Sequence, residues 1–307
     1  MTQLPEITAR SWIMVALLGL TWGGTFLVIE LALEGITPFW LAAGRVTFGA
    51  LLSGLVWRLR GGRLFLGPAD SAAWASLSTI AVLSSAVPFS LISWGQQFVT
   101  SGFTGVAMAS IALMILPLAH LFIPGERMSL RRLLGFLIGF AGVTLLIGAQ
   151  AFGSTGAALE MQGRVAILGA TGCYAVSSIL MRRLPPVDPV GLSSVLLLIG
   201  ALAILPAAWI AEGPPPLPDT RTIWIVAFLG LVPTAAANLL RVTLVRSAGP
   251  VFMSLTNYQV PVWAVLLGWV FLGEPLPPSL IWSLLLILGG VALSQFGALR
   301  RLFGAGA

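Results

Sequence analysis

The side chains able to do acid–base, nucleophilic or metal chemistry are few in this chain, and they are scattered. His120 is the only histidine and Cys173 the only cysteine. There is no HExxH pair, no cysteine pair and no GxxxxGK[ST] loop, so a metal-dependent hydrolase, a dithiol and a phosphate cradle all lack their parts. No metal and no cofactor is expected. Cys173 sits in an apolar run and reads as an inert small hydrophobe. His120, in LPLAHLFIPGE, reads as a hydrogen-bonded packing residue rather than a proton relay. What remains is a set of neutral polar and aromatic residues inside apolar stretches: Trp22, Thr25, Ser85, Ser90, Trp94, Gln97, Tyr174, Ser177 (with Ser178), Asn238, Asn257 and Tyr258. The densest group is TNYQVP, Thr256 to Pro261. Side-chain amides and free carbonyls suit an α-ammonium and an α-carboxylate without a buried countercharge, and aromatic rings hold an apolar side chain and attract an ammonium. These residues are the substrate-binding candidates. For any single serine or threonine among them, interhelical hydrogen bonding is the competing role.

The elements that carry these residues follow from composition. Charged residues are 8% and hydrophobic residues 58% of the chain. Soluble proteins carry about 25% charged residues, so this chain cannot cover a water-exposed surface and its solvent is the lipid bilayer. The net charge of +6 comes from sixteen arginines and no lysine, set in short clusters between apolar runs, a pattern that does not indicate nucleic acid. A lone cysteine excludes an internal disulfide framework. Ten spans are expected, at about 12–33, 37–57, 72–96, 102–123, 130–149, 164–181, 189–211, 222–245, 250–272 and 279–298. The first is too long for a signal-peptide core and counts as a span. Connections are short; the longest, about 150–163, joins the halves, and Gly213 to Pro218 (GPPPLP) forms a stiff turn. With the N-terminus inside, inner segments hold twelve arginines and outer loops two, Arg164 and Arg221. That bias places both termini in the cytoplasm of a multi-pass inner-membrane protein. Trp12, Trp40, Trp57, Trp224 and Trp282 lie near span ends, where an interfacial belt is the default.

The spans are duplicated. Gly125-Glu126 and Gly273-Glu274 stand 148 positions apart, each closing a span that carries a proline and opening another apolar span. The two copies run over 12–149 and 164–298, with five spans each. Because five is odd, the second copy enters the membrane from the opposite side, which makes an inverted repeat. Pro88 and Pro233 occupy spans 3 and 8, and Pro117 and Pro261 spans 4 and 9. Interrupted helices at corresponding places in two halves point to a transport site, with these prolines as hinges. Two charges lie within spans near the candidate residues. Arg45 is roughly 10–12 Å into span 2 at ~1.5 Å per residue, and Glu30 is near the end of span 1. Pairing of the two, snorkelling of Arg45 to the headgroups, and direct substrate contact all stay open. Arg241 reads as snorkelling. Glu126 and Glu274 read as anchors that cap the next helix or hold a turn, and Gly19/Gly23 and Gly135/Gly139 as close helix contacts.

The stretch Leu20 to Leu52, with Trp22-Gly23, Pro38 and Arg45, resembles the drug/metabolite transporter superfamily, EamA type. Pro124 to Gly148 and Leu272 to Leu293 reinforce the resemblance, which covers nearly the whole chain. It implies an all-α membrane protein of ten helices, two five-helix EamA repeats around a central cavity, and export of amino acids or related metabolites, aromatic amino acids included. Other branches move drugs, sugar phosphates or nucleotide sugars. The chain departs from the family in Glu30, where a basic residue is frequent, and in Leu113, where a proline is expected; Pro117 lies one helical turn later.

The expected function is therefore alternating-access export of a small, zwitterionic metabolite by a monomer or weak dimer. With no titratable group in mid-span, facilitated transport is expected rather than proton coupling. A polytopic enzyme is the alternative of another class, poorly supplied with catalytic groups, and a receptor or assembly subunit lacks loops large enough for an effector surface.

Overall fold

The computed structural model describes residues 7–148 and 158–304. Ten long helices carry the described residues: α1 Ala9–Leu33, α2 Pro38–Leu59, α3 Ser71–Gly95, α4 Ser101–Phe122, α5 Leu130–Gly148, α6 Glu160–Met181, α7 Pro189–Glu212, α8 Thr220–Gly249, α9 Thr256–Leu272 and α10 Pro278–Gly304. Among the described residues the one β contact is an antiparallel bridge between Phe65 and Val187. Among the described residues, nine helices reach 18 residues with the apolar composition that crosses a bilayer, and α9 has 17. Side chains such as Leu59, Leu202, Ile210, Trp224 and Phe271 stand exposed on the helices, as a lipid-facing surface requires. The protein is an all-α, multi-pass membrane protein.

Local sequence explains the helix starts. The side chains of Asp70, Thr100, Asp188 and Asp219 accept from Ala73, Phe103, Gly191 and Thr222 backbone N–H groups, at 2.8, 3.1, 2.8 and 2.8 Å, each satisfying a donor that the helix itself leaves orphaned. The Thr222 hydrogen bonds hold the Asp219 carboxyl below its ordinary range. The chain leaves α7 at Gly213 with φ 79°, at the start of the GPPPLP turn.

Three boundaries differ from those read in the sequence. The sixth span begins at Glu160 rather than 164, and Arg164, placed in a loop, lies buried inside it. Glu160 one turn earlier forms an ion pair with it, which lets a charged turn enter the helix. The ninth span is broken at Ser254 and Leu255, and the backbone ahead of the break is kinked at Gly249 (φ 85°). The last helix continues to Gly304. The connection between the halves, expected at about 150–163, lies mostly outside the described residues, as does the last residue of the fifth span.

The helices gather into two compact units, and each draws on both halves of the sequence. One holds α4, α5, α9 and α10 with the first part of α1 and the last part of α8. Glycine sets its close contacts. A Cβ on Gly135 of α5 would come within 2.5 Å of the Gly290 carbonyl oxygen of α10, and one on Gly23 of α1 within 2.8 Å of the Val260 carbonyl oxygen of α9. The other unit holds α2, α3, α6 and α7 with most of α8. Here Ala42, Ala43, Val46 and Ala50 of α2 pack with Leu197, Ala201, Ile204 and Ala208 of α7. The loops before α3 and α7 are tied by Leu66 N–H donating to the Pro186 carbonyl and Asp188 N–H to the Leu64 carbonyl, at 2.9 and 2.8 Å.

Candidate functional site

The prolines of α3 and α8 sit at matched interruptions. Both helices widen to π-helical turns, over Val82–Ala86 in α3 and Gly230–Ala236 in α8. The starts, 82 and 230, are separated by 148 residues, the Gly-Glu spacing. Proline explains the widening: its ring collides with the carbonyl four residues back and it has no N–H to donate there. Pro88 lies two residues past the first wide turn and Pro233 lies inside the second. The Leu229 carbonyl, which Pro233 cannot serve, instead accepts from the Thr234 hydroxyl at 2.8 Å.

Thr234 also holds Arg45. The Arg45 Nε donates to Thr234 Oγ1 at 2.8 Å, and its guanidinium carbon lies 4.4 Å over the Phe89 ring, one residue past Pro88. Arg45 therefore joins the wide turn of α8 to the stretch of α3 that follows its wide turn. It is 7% exposed, so it does not snorkel, and its electrostatic neighbour is Tyr174 rather than a carboxylate. Burial under α3 and α8 turns the side chain inward, which accounts for both departures from the alternatives open in the sequence. Tyr174 of α6 lies within electrostatic reach of the same guanidinium, and the Asn238 amide donates to the Thr234 carbonyl at 2.5 Å. Neither Thr234 nor Phe89 was among the sequence candidates. A hydroxyl directly after an intramembrane proline was the available signal for Thr234.

Other candidates of this unit are occupied locally. Ser90 donates to the Ala86 carbonyl at 2.9 Å, and Ser177 and Ser178 both donate to the Tyr174 carbonyl, at 3.0 and 2.7 Å. Ser85 is buried against Gly200 of α7. Trp94 packs edge-on against Phe98 with ring centres 5.1 Å apart, and the exposed Gln97 amide donates to the Trp94 carbonyl at 3.2 Å, just beyond the end of α3. Glu30 is half-buried near the end of α1.

The other unit has a second pair of interruptions. Helix α4 breaks at Ser110, and the chain before α9 breaks at Ser254 and Leu255. Pro117 and Pro261 lie inside the helical pieces that follow, each seven residues after the serine. The bends expected at these prolines thus fall two turns earlier. At Ser110 the hydroxyl donates to the Ala107 carbonyl at 2.6 Å, competing with the helical ladder. TNYQVP consequently forms the first turn of α9 rather than a mid-helix stretch. Its residues diverge: Thr256 is buried, Gln259 covers Gly19 of α1, Asn257 is exposed, and the Tyr258 hydroxyl is buried without a partner. Pro261 cannot donate to the Asn257 carbonyl. Trp22 is half-buried on α1, and Thr25 donates to the Thr21 carbonyl at 2.9 Å.

Glu274 acts at longer range than expected, whereas Glu126 stays local. Glu274 caps α4 rather than the next helix: its Oε1 and Oε2 accept from the Ser101 and Gly102 N–H groups at 2.7 and 2.9 Å. Glu212 does the same for α2, accepting from Phe39 and Trp40 N–H at 3.1 and 3.2 Å. Glu126 pairs with Arg132 at 3.0 Å, and His120 Nδ1 lies between the Glu126 carbonyl and the Met128 N–H, at 3.2 and 3.3 Å.

Two interrupted-helix pairs at matched sequence positions are the architecture of a carrier, and comparison with known proteins agrees. The pattern that defines the EamA-like transporter family matches residues 10–148 and again 161–296. The chain belongs to that family. Among its relatives, the "Uncharacterized transporter YoaV" of Bacillus subtilis is 22% identical over 94% of this chain and 98% of its own length. The "Uncharacterized inner membrane transporter YedA" of Escherichia coli K12 is 29% identical over 90% of this chain and 87% of its own. A crystal structure of a protein 21% identical in sequence shares the fold with a TM-score of 0.66, over 95% of this chain and 99% of that one. This EamA-like protein is thus a membrane transporter of the drug/metabolite superfamily.

The Thr234 contact is directly testable. Thr234→Val keeps the shape but removes the acceptor for Arg45 and the donor for Leu229, and should lower stability by about 2–4 kcal/mol. Thr234→Ser should retain most of it. Thermal midpoints of the purified variants check this; equal midpoints for wild type and Thr234→Val would remove the clamp.

Proposed function

We propose that this transporter exports small metabolites, amino acids first and aromatic ones among them, by alternating access. The supporting observation is the matched interruption of α3 with α8 and of α4 with α9, since discontinuous helices at corresponding positions of two repeats form transport sites. The repeats are 12–149 and 164–298 in inverted orientation. Asn257, Tyr258, Tyr174 and Asn238 offer neutral polar groups of the kind a zwitterion needs, with Trp22, Thr25, Ser85, Ser90, Trp94, Gln97 and Ser177 as further contacts. Arginine distribution supports cytoplasmic termini in an inner membrane. Export without proton coupling fits the placement of Glu30 near a helix end and of His120 in the last helical turn of α4, beside Glu126. Sugar phosphates are the second substrate class, favoured by the buried charge of Arg45.

The test is efflux from proteoliposomes containing only this protein, loaded in turn with amino acids, sugar phosphates and nucleosides. Saturable efflux of an amino acid is expected. Asn257→Ala and Tyr258→Phe should each reduce it about tenfold by removing one polar contact. Full efflux in both folded variants would take these residues out of the site, and efflux of sugar phosphates alone would reverse the substrate assignment.

A further inference from the structure

We infer that Arg45 is the anion-binding residue of the site and takes the carboxylate of the transported metabolite end-on. The inference rests on the transporter function and deepens it by naming the group recognised.

Arg45 is 7% exposed, lies deep within α2, and has Tyr174 rather than a carboxylate as its electrostatic neighbour. A cation in that position costs ~2.5–3.5 kcal/mol on insertion scales, and buried cations are ordinarily paired. Its one hydrogen bond uses Nε, toward Thr234, and Phe89 covers one face. Both contacts are neutral, so they fix the plane of the guanidinium without cancelling its charge. The hydrogen bond to Thr234 leaves the two Nη groups, with four of the five N–H donors, for another acceptor. Because Nε is occupied, the open edge is the Nη1–Nη2 fork, whose parallel donors match the two oxygens of a carboxylate. The Tyr174 side chain lies within electrostatic reach of the guanidinium. It supplies a further donor to the same anion. Thr234 is itself held by the Leu229 carbonyl in the α8 wide turn, so the fork is oriented by the helix interruption. Arg45, Phe89, Tyr174 and Thr234 all belong to one compact unit.

The test measures binding to the purified full-length protein in neutral detergent by thermal shift. The probes are alanine, leucine and phenylalanine, their amides, and acetate, 4-methylpentanoate and phenylacetate. Acids should bind and amides should not. Arg45→Gln should weaken the acids about a hundredfold, the scale of truncating one partner of a buried charge pair. Should Arg45→Gln not fold, Tyr174→Phe keeps the charge and should weaken the same acids about tenfold. Equal binding of acids and amides, or acid binding unchanged in folded Arg45→Gln, overturns the inference and leaves amino-acid export standing. Binding of the acids that lack an ammonium, lost in Arg45→Gln, with no binding of any amino acid supports the carboxylate site while removing the amino-acid assignment. Absence of any acid binding, or stabilisation only by phosphatidylglycerol, overturns it.

Discussion

Replacing Gly290 by alanine should destabilise the protein by about 3 kcal/mol, while the same change at Gly289 should not destabilise it. The two positions are adjacent on α10 and differ only in what they face. A Cβ on Gly290 would meet the Gly135 carbonyl oxygen and come within 2.5 Å of the Gly139 backbone nitrogen, whereas one on Gly289 meets nothing within 4 Å. Backbone cannot rotate away as a side-chain tip can, so the added methyl must push α10 off α5. That also loosens Gly142, which is set against Ile287. At Gly289 the methyl meets open space, and alanine favours the helix by up to ~1 kcal/mol. Thermal midpoints in detergent and the elution profile of each variant check the contrast. Equal midpoints for the two variants would show that α5 and α10 do not pack in this register.

Replacing Glu274 by alanine should cost about 3–5 kcal/mol and Glu274→Gln about 1–2. The carboxylate receives two N–H groups at the start of α4, 2.7 and 2.9 Å away. Both would be left without an acceptor beside the buried Ser101 and Gly102, where water is scarce and the helix dipole favours a negative charge. Glutamine keeps one oxygen and loses the charge. The space for the carboxylate exists because Gly268 has no side chain: a Cβ there would collide with Glu274 Oε2 and lie 2.6 Å from Ser101 Oγ. Gly268→Ala should therefore reproduce the Glu274→Ala loss, and the double variant should be little worse than either alone. Additive losses measured by thermal denaturation would show that the two residues act independently.

The sequence features that survive into the structure are those with local causes. Hydrophobic length fixes where helices run, and the missing N–H at Pro88 and Pro233 accompanies a wide turn in α3 and α8. Aspartates and a threonine just ahead of α3, α4, α7 and α8 cap them within three residues. Features set by remote partners were not legible. Glu274 and Glu212 each reach about 173 residues back to cap another helix, and nothing near either residue encodes its partner. Likewise, Arg45 has a carboxylate, Glu30, within reach along the sequence. Its actual neighbours, Thr234 and Phe89, come from α8 and α3 and exist only once three helices have packed. The breaks at Ser110 and Ser254 show the same limit. Proline marks the correct helices, but at Ser110 the break falls where the serine hydroxyl competes with the ladder, and at Ser254 where the hydroxyl reaches the Gln295 side chain.

A carrier that alternates between two openings exchanges substrate across the membrane faster when substrate is present on the far side, because the loaded protein reorients more readily than the empty one. Counterflow in proteoliposomes containing only this protein measures that directly. Vesicles preloaded with unlabelled amino acid should accumulate the labelled amino acid transiently above equilibrium, saturably, and to the same extent with or without a pH gradient. Flux that is linear in concentration and indifferent to substrate on the far side would contradict alternating access. Accumulation that requires the pH gradient would contradict facilitated transport.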